Sequence, residues 1–81
     1  MNNTTLTHNW TTPWFSENQK PARIGVYEIK PDALRISQCW AAWNGKKWGW
    51  RSTNLSQAWL DRDLDGAKQN LIWRGLTNET H

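Results

Sequence analysis

The chain has 81 residues, a formal net charge of +3 and eight tryptophans. Its length accommodates one domain, and the small charge together with the area that tryptophan can bury argues against a disordered chain. The single cysteine, Cys39, excludes an internal disulfide, and no apolar run approaches the roughly 20 residues of a membrane-spanning helix.

The first part of the chain is polar and is interrupted by two prolines and three large aromatic residues. We predict an N-terminal arm over residues 1–22 that packs onto a single domain of residues 23–77, with residues 78–81 as a tail. The aromatic residues of the arm are expected to anchor it, because a free tail seldom contains such rings. No secretory signal pattern opens the chain, which favours a cytoplasmic protein. The anchoring residues are Trp10, Trp14 and Phe15.

Two β segments are predicted next. The segment from Ile24 to Lys30 alternates and is rich in β-branched residues, which is typical of a strand. The segments 35–43 and 46–53 flank Asn44-Gly45, the preferred pair for a two-residue hairpin turn. Counting outward from that turn places Trp43 opposite Lys46 and predicts two faces for the hairpin. The core face would contain Cys39, Ala41, Trp43, Trp48 and Trp50, and the outer face Gln38, Trp40, Ala42, Lys47, Gly49 and Arg51, with Trp40 opposite Gly49.

A helix and a last strand complete the predicted domain. Asn54 with Gln57 resembles a capping box, and helical spacing continues to Ala67, with Gly66 as a terminator. Residues 71–76 alternate again, and Trp59 and Trp73 would bring the helix and this strand to the core. The sequence therefore predicts an α+β fold, a small antiparallel sheet of three to four strands with a central Asn-Gly hairpin and one helix packed on one face.

The segment from Asp61 to Gly66 matches the opening of an EF-hand calcium loop. Asp61, Asp63 and Asp65 would supply the carboxylates. The twelfth position, which should hold a bidentate acid, is Ile72. Calcium binding is therefore a minor alternative to a polar helix end, and we predict no resident metal or cofactor.

Catalytic residues are poorly represented. The two histidines are His8 and His81, neither of which the predicted fold places beside Cys39. That cysteine lies on the predicted core face, where a thiol usually acts as a small apolar group. We therefore expect a protein that is not an enzyme.

The outer hairpin face is the candidate binding site. Trp40 with Lys47 and Arg51, joined by Arg35 and Gln38 at the strand start, combines an aromatic surface with cations. Such a surface suits a protein partner, and the alternative is single-stranded nucleic acid or a nucleotide. An uncovered Trp40 face could also pair two copies of the chain. In a further alternative the arm covers Trp40.

Three segments carry a resemblance. They read KPxRxGVYE at residues 20–28, WxxWNGxxW at residues 40–48 and WRGL at residues 73–76. In that order they resemble small, mostly uncharacterised accessory proteins of bacteriophages and prophages. The resemblance implies a binding module in the cytoplasm of a bacterial host that modulates or inhibits a host or defence protein, CRISPR systems included.

Overall fold

The computed structural model describes residues 9–33 and 36–78 and confirms a small α+β fold. Its main sheet is antiparallel and three-stranded, in the order β3-β2-β4. A second, two-stranded antiparallel sheet joins β1 to β5. No helix in the described part of the chain is long and apolar enough to cross a membrane. The elements are β1 (Asn9–Thr11), β2 (Gly25–Ile29), β3 (Cys39–Trp43), α1 (Leu55–Leu60), β4 (Trp73–Arg74) and β5 (Leu76–Asn78).

Several sequence predictions lie outside the described residues. They concern the first eight residues of the arm, with His8, the start of the second predicted strand, with Arg35, and the last three residues of the tail, with His81. Within the described part, the arm contacts the last strands. Phe15 forms a β-bridge with Trp73, and the Thr12 amide donates to the Gly75 carbonyl at 2.9 Å.

The core lies on the inner face of the main sheet and is built mainly of aromatic rings. Trp48 is fully buried, and its ring meets Trp43 at 5.4 Å and Tyr27 at 6.1 Å between centroids, both edge to face. Burial also raises the pKa of Tyr27, an effect that the positive charge of Arg23 partly offsets. The predicted burial of Trp43, Trp48 and Trp73 is confirmed. The buried cluster comprises Ile29, Cys39, Ala41, Trp43, Trp48, Leu71 and Trp73.

The predicted two-residue hairpin turn is wrong, because the loop contains four residues. Trp43 bridges Trp48 instead of Lys46, and the Asn44 amide donates to the Lys47 carbonyl at 3.1 Å. The Asn44 side chain explains the wider loop. Its Oδ1 accepts the backbone amides of Lys46 and Lys47, each at 2.8 Å, which closes the turn through a side chain. Gly45 still has a positive φ of 98°.

The second arm of the hairpin is irregular, which changes the position of Trp50. Trp40 pairs with Ser52 through two hydrogen bonds of 2.8 Å, while the Gly49 amide donates to Ala42. Two residues, Trp50 and Arg51, therefore stand opposite the single residue Ala41, as in a β-bulge. The predicted pairings of Ala41 with Trp48, Cys39 with Trp50 and Trp40 with Gly49 are wrong. Trp50 is 44% exposed instead of buried in the core.

The helix is shorter than the periodicity predicted. Asn54 caps it as expected, since its Oδ1 accepts the Gln57 amide at 3.0 Å, but the helix ends at Leu60 and not near Ala67. The following residues form tight turns and reach Gly66, where φ is +91°. Trp59 was predicted to join the core but is 38% exposed and stacks under the Arg62 guanidinium.

The helical segment covers part of the outer face of the sheet, which the sequence had assigned to solvent or a partner. Ala42 and Ala58 are both fully buried. Gly49 is also buried, and the backbone of Asp61 and Arg62 lies directly against it. Among the described residues, the part of the outer face around Trp40 is only partly covered. The last predicted strand is likewise divided at Gly75 into β4 and β5.

Candidate binding groove

A row of three side chains crosses the open part of the outer face. β2 is the central strand, and its residue Glu28 pairs with Trp40 of β3 on one side and with Arg74 of β4 on the other. Side chains alternate along a strand, so Glu28 and Val26 project away from the core while Tyr27 and Ile29 face it. The open face thus presents an indole, a carboxylate and a guanidinium side by side.

This row forms the floor of a groove of about 440 Å³. The volume lies within the range of roughly 300–1,000 Å³ that is usual for ligand sites. Leu55, the first residue of α1, is 52% exposed and adds an apolar side chain to the lining of the groove. We call this feature the Trp40 groove, and define it by its lining residues Val26, Tyr27, Glu28, Gln38, Trp40, Leu55, Arg74 and Gly75.

The carboxylate of the groove is satisfied from within the protein. Glu28 Oε1 accepts Arg74 Nε at 3.0 Å, and Glu28 Oε2 accepts Gln38 Nε2 at 3.3 Å. The Glu28 side chain is only 16% exposed. A carboxylate so placed is stabilised by charge-assisted hydrogen bonds. Glu28 therefore orients Arg74 and Gln38 through its two carboxylate oxygens.

The guanidinium of Arg74 is held on two sides. One face lies over the Trp14 ring, 4.3 Å from its centroid, and Nε is bonded to Glu28. Its terminal Nη groups donate to no residue that the structure describes. The side chain is 29% exposed, so these donors are partly removed from water. Arg74 therefore offers fixed donors at the edge of the groove.

The structure divides the site residues predicted from the sequence. Trp40 and Gln38 line the groove. Lys47 and Arg51 belong instead to ion pairs away from the lining, Lys47 with Asp65 and Arg51 with Asp32 at 3.1 Å. The bond from Lys47 and its positive charge lower the pKa of Asp65. Lys47 and Arg51, predicted to share the outer hairpin face with Trp40, are therefore not among the residues that line the groove. Arg35 is not among the described residues.

Each carboxylate of the calcium-like segment has a partner of its own. Asp61 accepts from Gln57 and Asp63 from Asn44. With Asp65 held by Lys47, the three acids face different neighbours. Over residues 9–33 and 36–78, no group of three His, Cys, Asp or Glu side chains is arranged to hold a metal ion. The three aspartates therefore stabilise the loop after the helix through hydrogen bonds to neighbouring side chains.

Six of the eight residues that line the groove were not identified as site residues from the sequence. They come from three separate segments: the strand order β3-β2-β4 brings β2 and the β4 end beside Trp40, and the start of α1 adds Leu55. The six are Val26, Tyr27, Glu28, Leu55, Arg74 and Gly75. The one available signal was the alternation in residues 24–30, which places Val26 and Glu28 on the same face of a strand. Nothing in the sequence shows that β4 pairs with β2, so Arg74 could not be added.

Comparisons of this chain with protein-family models, with curated protein sequences and with solved structures found no match.

Proposed function

We propose that this chain is a small non-enzymatic binding module that holds a partner protein in the Trp40 groove. The groove itself is the observation that carries the proposal. A half-buried indole, an exposed leucine and an oriented arginine line it together. Tryptophan and arginine are the residues most enriched among those that dominate the energy of protein interfaces.

The sequence resemblance supports a setting for this activity. An accessory protein of a bacteriophage or prophage would act in the cytoplasm of an infected bacterium. The partner that we propose is therefore a host or defence protein of that bacterium, whose activity the bound module modulates or inhibits. A small, rigid module can do this by occupying a surface that its target needs.

The nucleic-acid alternative has lost much of its support. It relied on Lys47 and Arg51 as phosphate contacts beside Trp40, and both cations are paired with aspartates. Among the lining residues, the single cation Arg74 is accompanied by the carboxylate of Glu28. A groove with one positive and one negative charge is a poor match for a run of phosphates.

The groove can be tested by placing a charge in it. Replacing Leu55 with glutamate introduces a carboxylate at an exposed position of the groove lining, and a negative charge in the first helical turn is compatible with the helix dipole. We expect Leu55→Glu to reduce capture of a specific host protein from bacterial lysate by about tenfold or more, since a buried unpaired charge opposes binding. Quantitative mass spectrometry of the captured proteins measures the effect.

Leu64→Glu is the matched control, because Leu64 is 49% exposed and does not line the groove. Capture by this variant should equal that of the unmodified chain. Trp40→Ala provides a second groove variant, with its thermal melt recorded to confirm folding. Equal capture by all three variants, or recovery of no specific protein by the unmodified chain, would contradict the proposal.

A further inference from the structure

We infer that the Trp40 groove selects an acidic segment of its partner, in which an aspartate or glutamate lies two to four residues from an apolar side chain. The inference rests on the proposed function and adds the chemistry of the ligand. The apolar side chain would pack on Trp40 and Leu55, and the carboxylate would bind the terminal nitrogens of Arg74.

The unused donors of Arg74 predict a carboxylate on the ligand. Its Nε is used by Glu28 and one face of the guanidinium by Trp14. What remains is the edge formed by the two Nη atoms, which donate to no described residue. That edge is a planar fork, and a carboxylate matches it with two parallel hydrogen bonds. Because Glu28 and Trp14 hold the guanidinium in place, an incoming acid meets oriented donors.

The spacing follows from the sheet. Trp40 and Arg74 stand on the strands that flank β2, each paired directly with Glu28. Neighbouring strands lie about 4.8 Å apart, so the two positions are separated by about 10 Å. An extended chain advances about 3.3 Å per residue and its side chains alternate, so residues two or four apart project to the same side and span about 7 to 13 Å. A segment that crosses the strands would place its apolar residue and its acid over the two positions.

A protein segment fits this groove better than a nucleic acid. The donor edge of Arg74 can serve a single anion, and the floor between Arg74 and Trp40 contains the carboxylate of Glu28. A nucleic acid would bring successive phosphates past that negative charge. A single carboxylate can stay on the Nη edge of Arg74 without crossing Glu28.

A random twelve-residue peptide library, displayed and selected on the immobilised full chain, tests the inference. Binders retained by the Leu55→Glu variant are removed first. We expect the enriched peptides to carry an acid two to four residues from Leu, Ile, Phe or Trp. In the best peptide, changing the acid to its amide should weaken binding on the order of tenfold to a hundredfold, the usual range for a charged hydrogen bond.

Arg74→Lys separates recognition from structure. Lysine keeps the charge but lacks the fork, so this variant should weaken the acid peptide by about tenfold while leaving the amide peptide nearly unchanged. A purely structural role would weaken both peptides equally. Arg51→Lys is the matched control, since Arg51 also pairs with an aspartate but does not line the groove, and it should change neither affinity.

The possible outcomes distinguish the acidic chemistry of the ligand from the binding function of the groove. Some peptides could fail to bind the Leu55→Glu variant and yet bind equally well after their acid is changed to its amide. That result would overturn the inferred role of the carboxylate and leave the proposed binding function unaffected. Groove-dependent binding of an oligothymidylate at low salt, with no peptide enriched, would overturn both in favour of the nucleic-acid alternative. Equal losses for both peptides on Arg74→Lys would likewise overturn the role of the Arg74 fork.

Discussion

Replacing Trp48 with alanine is expected to lower the free energy of unfolding by about 4 kcal/mol, the usual cost of removing a large buried aromatic side chain. The Trp48 indole is fully buried, and rings of Tyr27, Trp43 and Trp73 surround it. Few aliphatic side chains are available to fill the cavity, because the buried cluster has only Ile29 and Leu71 as large aliphatic members. Urea denaturation followed by circular dichroism measures the loss.

Two further variants show what the indole contributes. Trp59→Ala should cost less than about 1 kcal/mol, because Trp59 is 38% exposed and its main partner is the Arg62 guanidinium. Trp48→Phe keeps a ring and removes the indole Nε1, a buried donor for which the described residues provide no acceptor. Trp48→Phe should therefore lower the free energy of unfolding much less than Trp48→Ala does. Equal losses for Trp48→Ala and Trp59→Ala would show that Trp48 is not the centre of the core.

Gly49→Ala is expected to lower the free energy of unfolding by about 3 kcal/mol, at the upper end of the usual range for overpacking. A Cβ at this position would lie 2.6 Å from the Arg62 Cα and closer still to the Asp61 carbonyl oxygen. Both neighbours are backbone atoms, which cannot rotate away as a side chain would. The methyl group must therefore push the end of the helical segment away from the sheet.

Gly25→Ala is the control for this substitution. Gly25 lies in β2, and the nearest atoms to its added Cβ belong to the Tyr27 ring at 3.7 Å, an ordinary contact. Its cost should be about 0.5 kcal/mol or less. The same denaturation experiment compares the two variants. If Gly49→Ala were as stable as Gly25→Ala, the helical segment would not pack directly on the hairpin as described.

The parts of the fold that the sequence predicted are those that depend on local patterns. Alternation between residues 24 and 30 predicted β2, and Asn54 marked the start of the helix. Trp43 and Trp48 lie in the core as predicted, although the predicted hairpin register is wrong. The two residues are cross-strand partners and therefore share one face. Composition also predicted the reliance of the core on tryptophan.

The errors arise from interactions between distant segments. Asn44 donates to Asp63 as well as closing its own loop, and this contact joins the hairpin to the residues after the helix. Gly49 allows the helical backbone to approach, and Gly66 lies against the Trp50 ring. These contacts end the helix early and draw Trp50 out of the core. None of them follows from periodicity or from the Asn-Gly pair.

The most direct test of the groove is to follow the indole N–H signals of the eight tryptophans by nuclear magnetic resonance while a selected peptide is added. Binding in the Trp40 groove should shift the signal of Trp40, and that of Trp14 through its contact with Arg74. The signals of Trp50 and Trp59, exposed but outside the groove lining, should stay in place. Shifts of Trp50 or Trp59 with an unchanged Trp40 would contradict the assignment of the groove as the binding site.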